Sequence, residues 1–206
     1  MQKFFILVVV SIVIAFAVKS LMITDSLYHN SLAEQLSAEQ IDSLISLSNQ
    51  WAWLGYLLVP VFYLLKCSVI ALCIGLAIFL ISDKFEYEKV FDAVVTAEFV
   101  FIIPALLKLF WFLFFDTDFT IADLQNFHPL SILNLVENEN LTAWQRYPLQ
   151  IMNLFEVLYW FVLGYGLSIE LPQFKLPKAM GIVASSYGLG LVIWMVAVMF
   201  LTLSAS

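Results

Sequence analysis

The chain has 206 residues, of which 63% are hydrophobic and 12% charged, with a formal net charge of −7 and a mean hydropathy of +0.95. A soluble domain carries roughly a quarter charged residues, so a water-soluble fold of this size could not bury so much apolar surface. Nucleic-acid binding is also excluded, because the sequence has no basic stripe and no interleaving of basic with aromatic residues. The composition therefore predicts an all-α integral membrane protein.

Five apolar segments are long enough to cross a membrane, which takes about 20 mainly apolar residues. In chain order they cover residues 4–23, 61–81, 90–115, 151–169 and 179–203. They predict a single transmembrane domain over residues 1–206, built as a helical bundle with outer loops at 24–60 and 116–150.

The first two spans each allow an alternative. Lys3 precedes the first apolar run and Ala15-Phe16-Ala17 resembles a cleavage site, so this segment could be a cleaved signal peptide. We favour a retained span because the run continues to Ile23. The second span could begin earlier, since residues 51–59 are also apolar, and Pro60 would then kink the longer helix.

The orientation follows from the positions of the basic residues. The connections at 1–3, 82–89 and 170–178 contain Lys3, Lys84, Lys89, Lys175 and Lys178, whereas the outer loops hold only Arg146. This positive-inside bias predicts a cytoplasmic amino terminus and an extracytoplasmic carboxyl terminus. The outer loops carry the carboxylates Asp25, Glu34, Glu39, Asp42, Asp116, Asp118, Asp123, Glu137 and Glu139. Such an acidic face would suit a basic extracytoplasmic partner.

Two capping boxes predict that the outer loops are structured. In Ser37-Ala38-Glu39-Gln40 the hydroxyl can accept from an early backbone amide while Gln40 reaches back. The apolar positions that follow, from Ile41 to Trp51, predict a helix leading into the second span. Thr142-Ala143-Trp144-Gln145 repeats the pattern and predicts a short helix at the membrane interface.

Five ionisable residues fall inside the spans and are the candidates for an intramembrane polar site: Lys19, Lys66, Glu98, Lys108 and Glu156. An unpaired charge near the bilayer centre costs at least about 2.5–3.5 kcal/mol, so each should find water or a partner. Counted from the span ends, Glu98 lies nearer the inner half and the other four lie in the outer half. One interpretation is an outward-facing polar cleft that attracts an anionic group. The favoured one is that Lys19 and Lys108 snorkel to the headgroups while Glu156 pairs with Lys66.

Small residues in the fifth span predict close helix packing. Gly181, Ala184, Ser185 and Gly188 lie at four-residue spacing on two adjacent rows. This pattern is compatible with packing inside the bundle or against another subunit.

The sequence predicts no catalytic, metal or cofactor site. His29 and His128 lie in different outer loops, and neither has a further ligand at helical spacing. A serine nucleophile elbow of the Gly-x-Ser-x-Gly type is missing as well.

Several short patterns point to a family. Phe85-Glu86-Tyr87-Glu88-Lys89-Val90-Phe91 precedes the third span and Pro104 lies within it, while Asn153-Leu154-Phe155, Trp160, Gly164-Tyr165-Gly166-Leu167 and Lys178-Ala179 follow. Over roughly residues 50–195 this layout resembles the bacterial type of the Yip (Ypt-interacting-protein-like) family, although its members often carry aspartate where this chain has Asn153. The resemblance implies a five-span, non-enzymatic membrane protein with a cytoplasmic amino terminus.

The favoured function is a subunit or scaffold of a membrane complex, in contact with membrane lipids and other subunits in a bacterial inner membrane. Short cytoplasmic loops, structured acidic outer loops and small-residue rows all favour it. The alternative is a small permease or lipid-handling protein that uses the intramembrane lysines and glutamates. Proline breaks at Pro60 and Pro104 add weight to this alternative, since interrupted helices often line polar cavities.

Overall fold

The structure is a computed structural model that describes residues 1–82, 86–136 and 141–205. Within these ranges every regular element is helical, as the composition predicts. Lys84, Phe85, Glu137 and Glu139, which the sequence assigns to the connections, lie outside the described residues.

The helices are numbered in chain order. They are α1 (Gln2–Leu21), α2 (Asp25–Leu32), α3 (Ala38–Ser82), α4 (Tyr87–Glu98), α5 (Ile102–Phe114), α6 (Ile121–Asn126), α7 (Ala143–Ile151), α8 (Leu154–Glu170), α9 (Leu176–Val183) and α10 (Leu189–Ala205). Short 3₁₀ turns cover Phe99–Phe101 and Ile132–Leu135, and a π turn covers Ala184–Gly188.

In the part of the chain that the structure describes, four helical stretches are long and apolar enough to cross a membrane, which marks the chain as membrane-embedded: Gln2–Leu21, Ala38–Ser82, Tyr87–Phe114 and Leu176–Ser204. They correspond to the first, second, third and fifth predicted spans. The fourth corresponds to α8, whose 17 residues rise only about 25 Å against a hydrocarbon core of about 30 Å. A fifth crossing and the orientation of the termini therefore stay predictions.

The capping boxes and the early start of the second span are confirmed. The backbone N–H of Ser37 donates to Gln40 at 2.9 Å and that of Gln40 returns to the Ser37 hydroxyl at 3.4 Å. Helix α3 follows directly and continues through Pro60 to Ser82. Thr142 and Gln145 form the same reciprocal pair at the start of α7.

The chain divides into two compact units, and a single domain over residues 1–206 stays a prediction. Unit 1 comprises Met1–Phe5, Leu65–Phe101 and His128–Ser206, and unit 2 comprises Ile6–Leu64 and Ile102–Phe127.

Close helix packing around α8 forms the interior of unit 1. Helix α8 packs against α4 and α9, while α7 packs against α10. Gly166 of α8 lies opposite Ala93 of α4, where an added Cβ would be 3.5 Å from the alanine Cβ. Gly164 on the same helix leaves room for Met180, whose Sδ a Cβ placed there would overlap. The missing side chains thus allow the neighbouring helices to approach α8 closely.

An ion-pair cluster in unit 1 joins segments that the sequence assigns to the cytoplasmic side. The Lys3 ammonium lies 2.5 Å from Asp92 and 3.7 Å from Glu170. Lys89 pairs with Glu86, which also accepts from Gln173 at 3.5 Å. Parts of all three predicted cytoplasmic connections therefore lie close together.

Unit 2 contains a small apolar core between predicted outer segments and the ends of two spans. Met22, Leu27, Phe112 and Leu124 are buried together. Helix α6 begins with a capping box between Thr120 and Asp123 that the sequence analysis missed. The expectation of structured outer loops is therefore confirmed for the described residues of both loops.

Candidate functional site

Asn153 fixes the start of α8, which carries most of the candidate site. Its side-chain oxygen accepts from the backbone N–H of Glu156 at 2.9 Å, and its amide nitrogen donates to the carbonyls of Gln150 and Ile151. An asparagine at this position can accept the same capping bond as an aspartate. An antiparallel bridge between Ser131 and Asn153 holds the preceding segment against this helix start.

Glu156, in the first turn of α8, accepts two hydrogen bonds on one carboxylate oxygen. Trp160 Nε1 donates to Glu156 Oε1 at 2.9 Å, and the hydroxyl of Tyr187 donates to the same atom at 2.8 Å. The two aromatic rings meet edge to face, with centroids 6.0 Å apart. Because Trp160 lies one turn along α8 and Tyr187 lies on another element, this carboxylate links two helical segments.

The π turn at Ala184–Gly188 presents Tyr187 to Glu156. A π turn interrupts the regular α-helical bonds, and its freed carbonyl groups need other donors. The hydroxyls of Ser185 and Ser186 both donate to the carbonyl of Ile182, at 3.2 and 2.6 Å. These serines therefore satisfy a carbonyl at the place where the fifth predicted span departs from α-helical geometry.

Gly188 lets the indole ring of Trp160 lie against the π turn. A Cβ at Gly188 would lie 2.5 Å from Cη2 of Trp160 and 3.1 Å from both Cζ2 and Cζ3. Since carbon atoms in contact are normally about 3.5–4.0 Å apart, only glycine fits without a shift of the ring. The position of Trp160 thus depends on both Gly188 and Glu156.

A cavity of about 650 Å³ lies beside this carboxylate, within unit 1. The lining residues with polar side-chain groups are Asn153, Glu156 and Trp160. The remaining lining residues are Leu130, Ile132, Ile151, Met152, Leu154, Val157, Phe161, Met180, Gly188, Leu191, Val192 and Met195. A cavity of this size with apolar walls and one carboxylate is suited to an organic ligand.

The expected pairing of Lys66 with Glu156 is wrong, because Lys66 pairs with Glu98. The Lys66 ammonium lies 2.8 Å from Glu98 Oε2 and 4.5 Å from the ring centroid of Phe101. The side chain of Glu98 is 1% exposed and that of Lys66 is 48% exposed. The sequence placed Glu98 and Lys66 at different membrane depths, because their depth was counted from the ends of the spans. In the packed helices their long side chains meet.

A second buried polar group lies close to this ion pair. Tyr159 is fully buried, with its ring 5.0 Å from that of Phe101 and 5.1 Å from that of Tyr187. Among the described residues, neither Glu98 Oε1 nor the Tyr159 hydroxyl has a hydrogen-bond partner. Buried polar groups that lack a hydrogen-bond partner in the protein commonly bind an internal water.

The other two intramembrane lysines belong to unit 2. Lys19 donates to the carbonyl of Ser48 at 3.3 Å, and Lys108 donates to the carbonyl of Leu124. Both acceptors lie in predicted outer segments, which agrees with the prediction that these lysines snorkel. The five candidates thus divide between the units, and only Glu156 among them lines the apolar cavity.

The four small residues of the fifth span have different environments. Gly188 is buried against Trp160, whereas Gly181, Ala184 and Ser185 are exposed. A Cβ at Gly181 would meet no atom within 4 Å. One residue therefore serves packing within the chain, and the other three form an open face.

Sequence reasoning missed Trp160, Tyr159 and Tyr187 as members of the site. A tryptophan four residues after an intramembrane glutamate was a usable signal, because side chains at that spacing share a helix face. Over residues 1–82, 86–136 and 141–205, no group of three His, Cys, Asp or Glu residues is placed to hold a metal ion. His29 instead lies 3.1 Å from Asp42.

Comparison with known proteins does not assign the chain to a family. No family model matches it, and neither does any curated protein or solved structure. The resemblance to the Yip family therefore stays a prediction that rests on the sequence patterns alone.

Proposed function

We propose that the chain is a non-enzymatic, lipid-handling protein of a bacterial cytoplasmic membrane, which binds a membrane amphiphile in the cavity of unit 1. This is the alternative from the sequence, with one change: the site is an apolar cavity beside Glu156 and not a cleft lined by all five intramembrane charges. The five-span topology with a cytoplasmic amino terminus belongs to the same proposal.

The observation that carries this proposal is the cavity beside a polar group that is held in place. Hydrocarbon chains suit apolar walls, and a pocket of about 650 Å³ lies within the usual range for organic ligands. Leu154, Val157 and Phe161 line it and are more than half exposed, so a lipid could enter from the bilayer. Glu156 would give the bound molecule a fixed position for its head.

The test compares two valines of equal exposure. Val157 lines the cavity and is 53% exposed, whereas Val69 is 52% exposed and does not line it. The protein is purified in mild detergent and its bound lipids are measured by native mass spectrometry. We expect Val157→Trp to remove the retained lipid and Val69→Trp to keep it. Equal lipid retention by both variants would refute the proposal.

A second candidate is the subunit or scaffold function that the sequence favours. The exposed face of Gly181, Ala184 and Ser185 supports it, because small residues allow another membrane helix to approach closely. The acidic residues of the predicted outer loops would then suit a basic extracytoplasmic partner.

Purification from the native membrane tests this second function. A protein partner should remain bound in a fixed ratio and should be lost when Gly181 is replaced by leucine. Gly190→Leu is the matched control, since a Cβ there also meets nothing within 4 Å. A chain that carries lipid but no protein would contradict the subunit function.

A further inference from the structure

Glu156 has one carboxylate oxygen with unused hydrogen-bonding capacity beside the cavity. Its Oε1 already accepts from Trp160 and Tyr187. No described residue donates to Oε2. The amide of Asn153, the neighbouring polar group of the lining, is fully used in capping α8 and in bonds to two carbonyls.

No described lysine or arginine forms an ion pair with the Glu156 carboxylate, and Lys66 acts on it at longer range. The nearest candidate from the sequence, Lys66, is held by Glu98 at 2.8 Å. A carboxylate away from water needs a compensating charge or donors. The first turn of α8 supplies part of this compensation, since helix amino termini favour negative charge. Glu156 Oε2 is therefore left without a hydrogen-bond donor or an ion-pair partner among the described residues.

We propose that the cavity binds a membrane lipid whose head carries a primary ammonium group, with that group donating to Glu156 Oε2. This inference rests on the proposed function and names its ligand class. A primary ammonium brings three donors and a positive charge, which are the two things that Oε2 lacks. The indole of Trp160 lines the same cavity, and an indole ring is the side chain that attracts cations most strongly.

The lipid's source is the surrounding bilayer. The apolar walls run from the first turns of α8 to Leu191 and Met195 of α10, and they suit an acyl chain. Glu156 lies near the helix start, at one end of α8, which is the position where a lipid head would meet the protein. The charge therefore selects the head, and the walls accept any chain of suitable length.

The test measures lipid retention by native mass spectrometry with full-length protein exchanged into three lipids that have identical chains. Their heads are ethanolamine, choline and glycerol. We expect the ethanolamine lipid to be retained about tenfold more than the glycerol lipid, the effect of one charge-assisted hydrogen bond. Glu156→Gln should abolish this preference, because glutamine keeps an acceptor for Trp160 and Tyr187 but loses the charge. Glu170→Gln is the control, since Glu170 lies on the same helix and pairs with Lys3.

The outcomes separate the two proposals. If Val157→Trp loses all retained lipid while wild type shows no head preference, the cavity binds lipid and the ammonium inference is overturned. If Val157→Trp changes nothing, the lipid-handling function itself fails. A last measurement adds a long-chain primary alkylamine to the protein. Displacement of the ethanolamine lipid by this amine supports the ammonium site. If the protein retains the amine but never retains the lipid, the choice of a bilayer lipid is overturned.

Discussion

Replacing Gly188 with alanine would place a methyl group against the indole ring of Trp160. The new Cβ would lie 2.5 Å from Cη2 and 3.1 Å from Cζ2 and Cζ3. To restore a normal carbon contact the ring must move by about 1 Å. Its freedom to move is limited, because Nε1 is held by Glu156 and the ring edge meets Tyr187.

The free energy of unfolding should fall by up to about 2.5 kcal/mol. Overpacking of a close contact costs about 1–3 kcal/mol. The lower conformational entropy of alanine in the unfolded chain offsets at most about 0.5–1 kcal/mol of this cost. Gly181→Ala provides the matched control, since its Cβ meets nothing within 4 Å and only the entropic gain remains.

The free energy of unfolding of both variants is measured by reversible unfolding in mixed micelles, followed by circular dichroism. A double-mutant cycle with Trp160→Phe isolates the contact, because phenylalanine removes the clashing indole atoms. In that background Gly188→Ala should lose most of its effect. If Gly188→Ala is as stable as Gly181→Ala, or if its effect is the same with and without the indole, the packing argument is refuted.

Three further predictions concern charges and helix starts. Lys66→Met leaves the buried Glu98 carboxylate unpaired and should lower the free energy of unfolding by about 2.5–3.5 kcal/mol; adding Glu98→Gln should recover most of it, and a double variant no better than the single one would contradict the ion pair. Asn153→Ala should lose about 1 kcal/mol and Asn153→Asp much less, since only alanine removes the capping oxygen; equal losses in the same micelle assay would argue against the cap. The hydroxyl and backbone N–H of Thr120 donate to Asp123 and lower the pKa of that carboxyl. Its contribution to stability is therefore complete above the ordinary aspartate pKa of about 4 and is lost as the pH falls through the lowered pKa. Because Asp123 is exposed, this contribution is only a few tenths of a kcal/mol. Thr120→Ala should reduce the acid dependence of unfolding below that pH, and an unchanged profile would contradict the assignment.

Local patterns predicted those parts of the fold that depend on neighbouring residues. The boxes at Ser37 and Thr142 were found because a capping box needs only four residues of sequence. Four of the five apolar segments match helices near their observed limits, since length and hydropathy are local properties too, whereas the second helix begins at Ala38 and not at residue 61. The apolar run before Pro60 likewise belonged to α3.

The contacts between helices could not be predicted in the same way. Lys66 was assigned to Glu156 because depth was counted from the span ends, a count that takes no account of how the helices cross. The cavity depends on the π turn and on the fit of Trp160 over Gly188. The apolar residues of a continuous run do not indicate either feature. Ser185 and Ser186 within such a run were the available signal for an interrupted helix.

The π turn also determines the direction in which the side chains of the following helix, α10, point. A π turn holds one residue more than the α-helical turn it replaces. This extra residue rotates the side chains of α10 by about 100° relative to an uninterrupted helix. Leu191, Val192 and Met195 therefore face the cavity as a consequence of a single inserted position. Deleting one residue between Ala184 and Gly188 would turn these three side chains away together, so the cavity depends on the chain length here as well as on its lining residues.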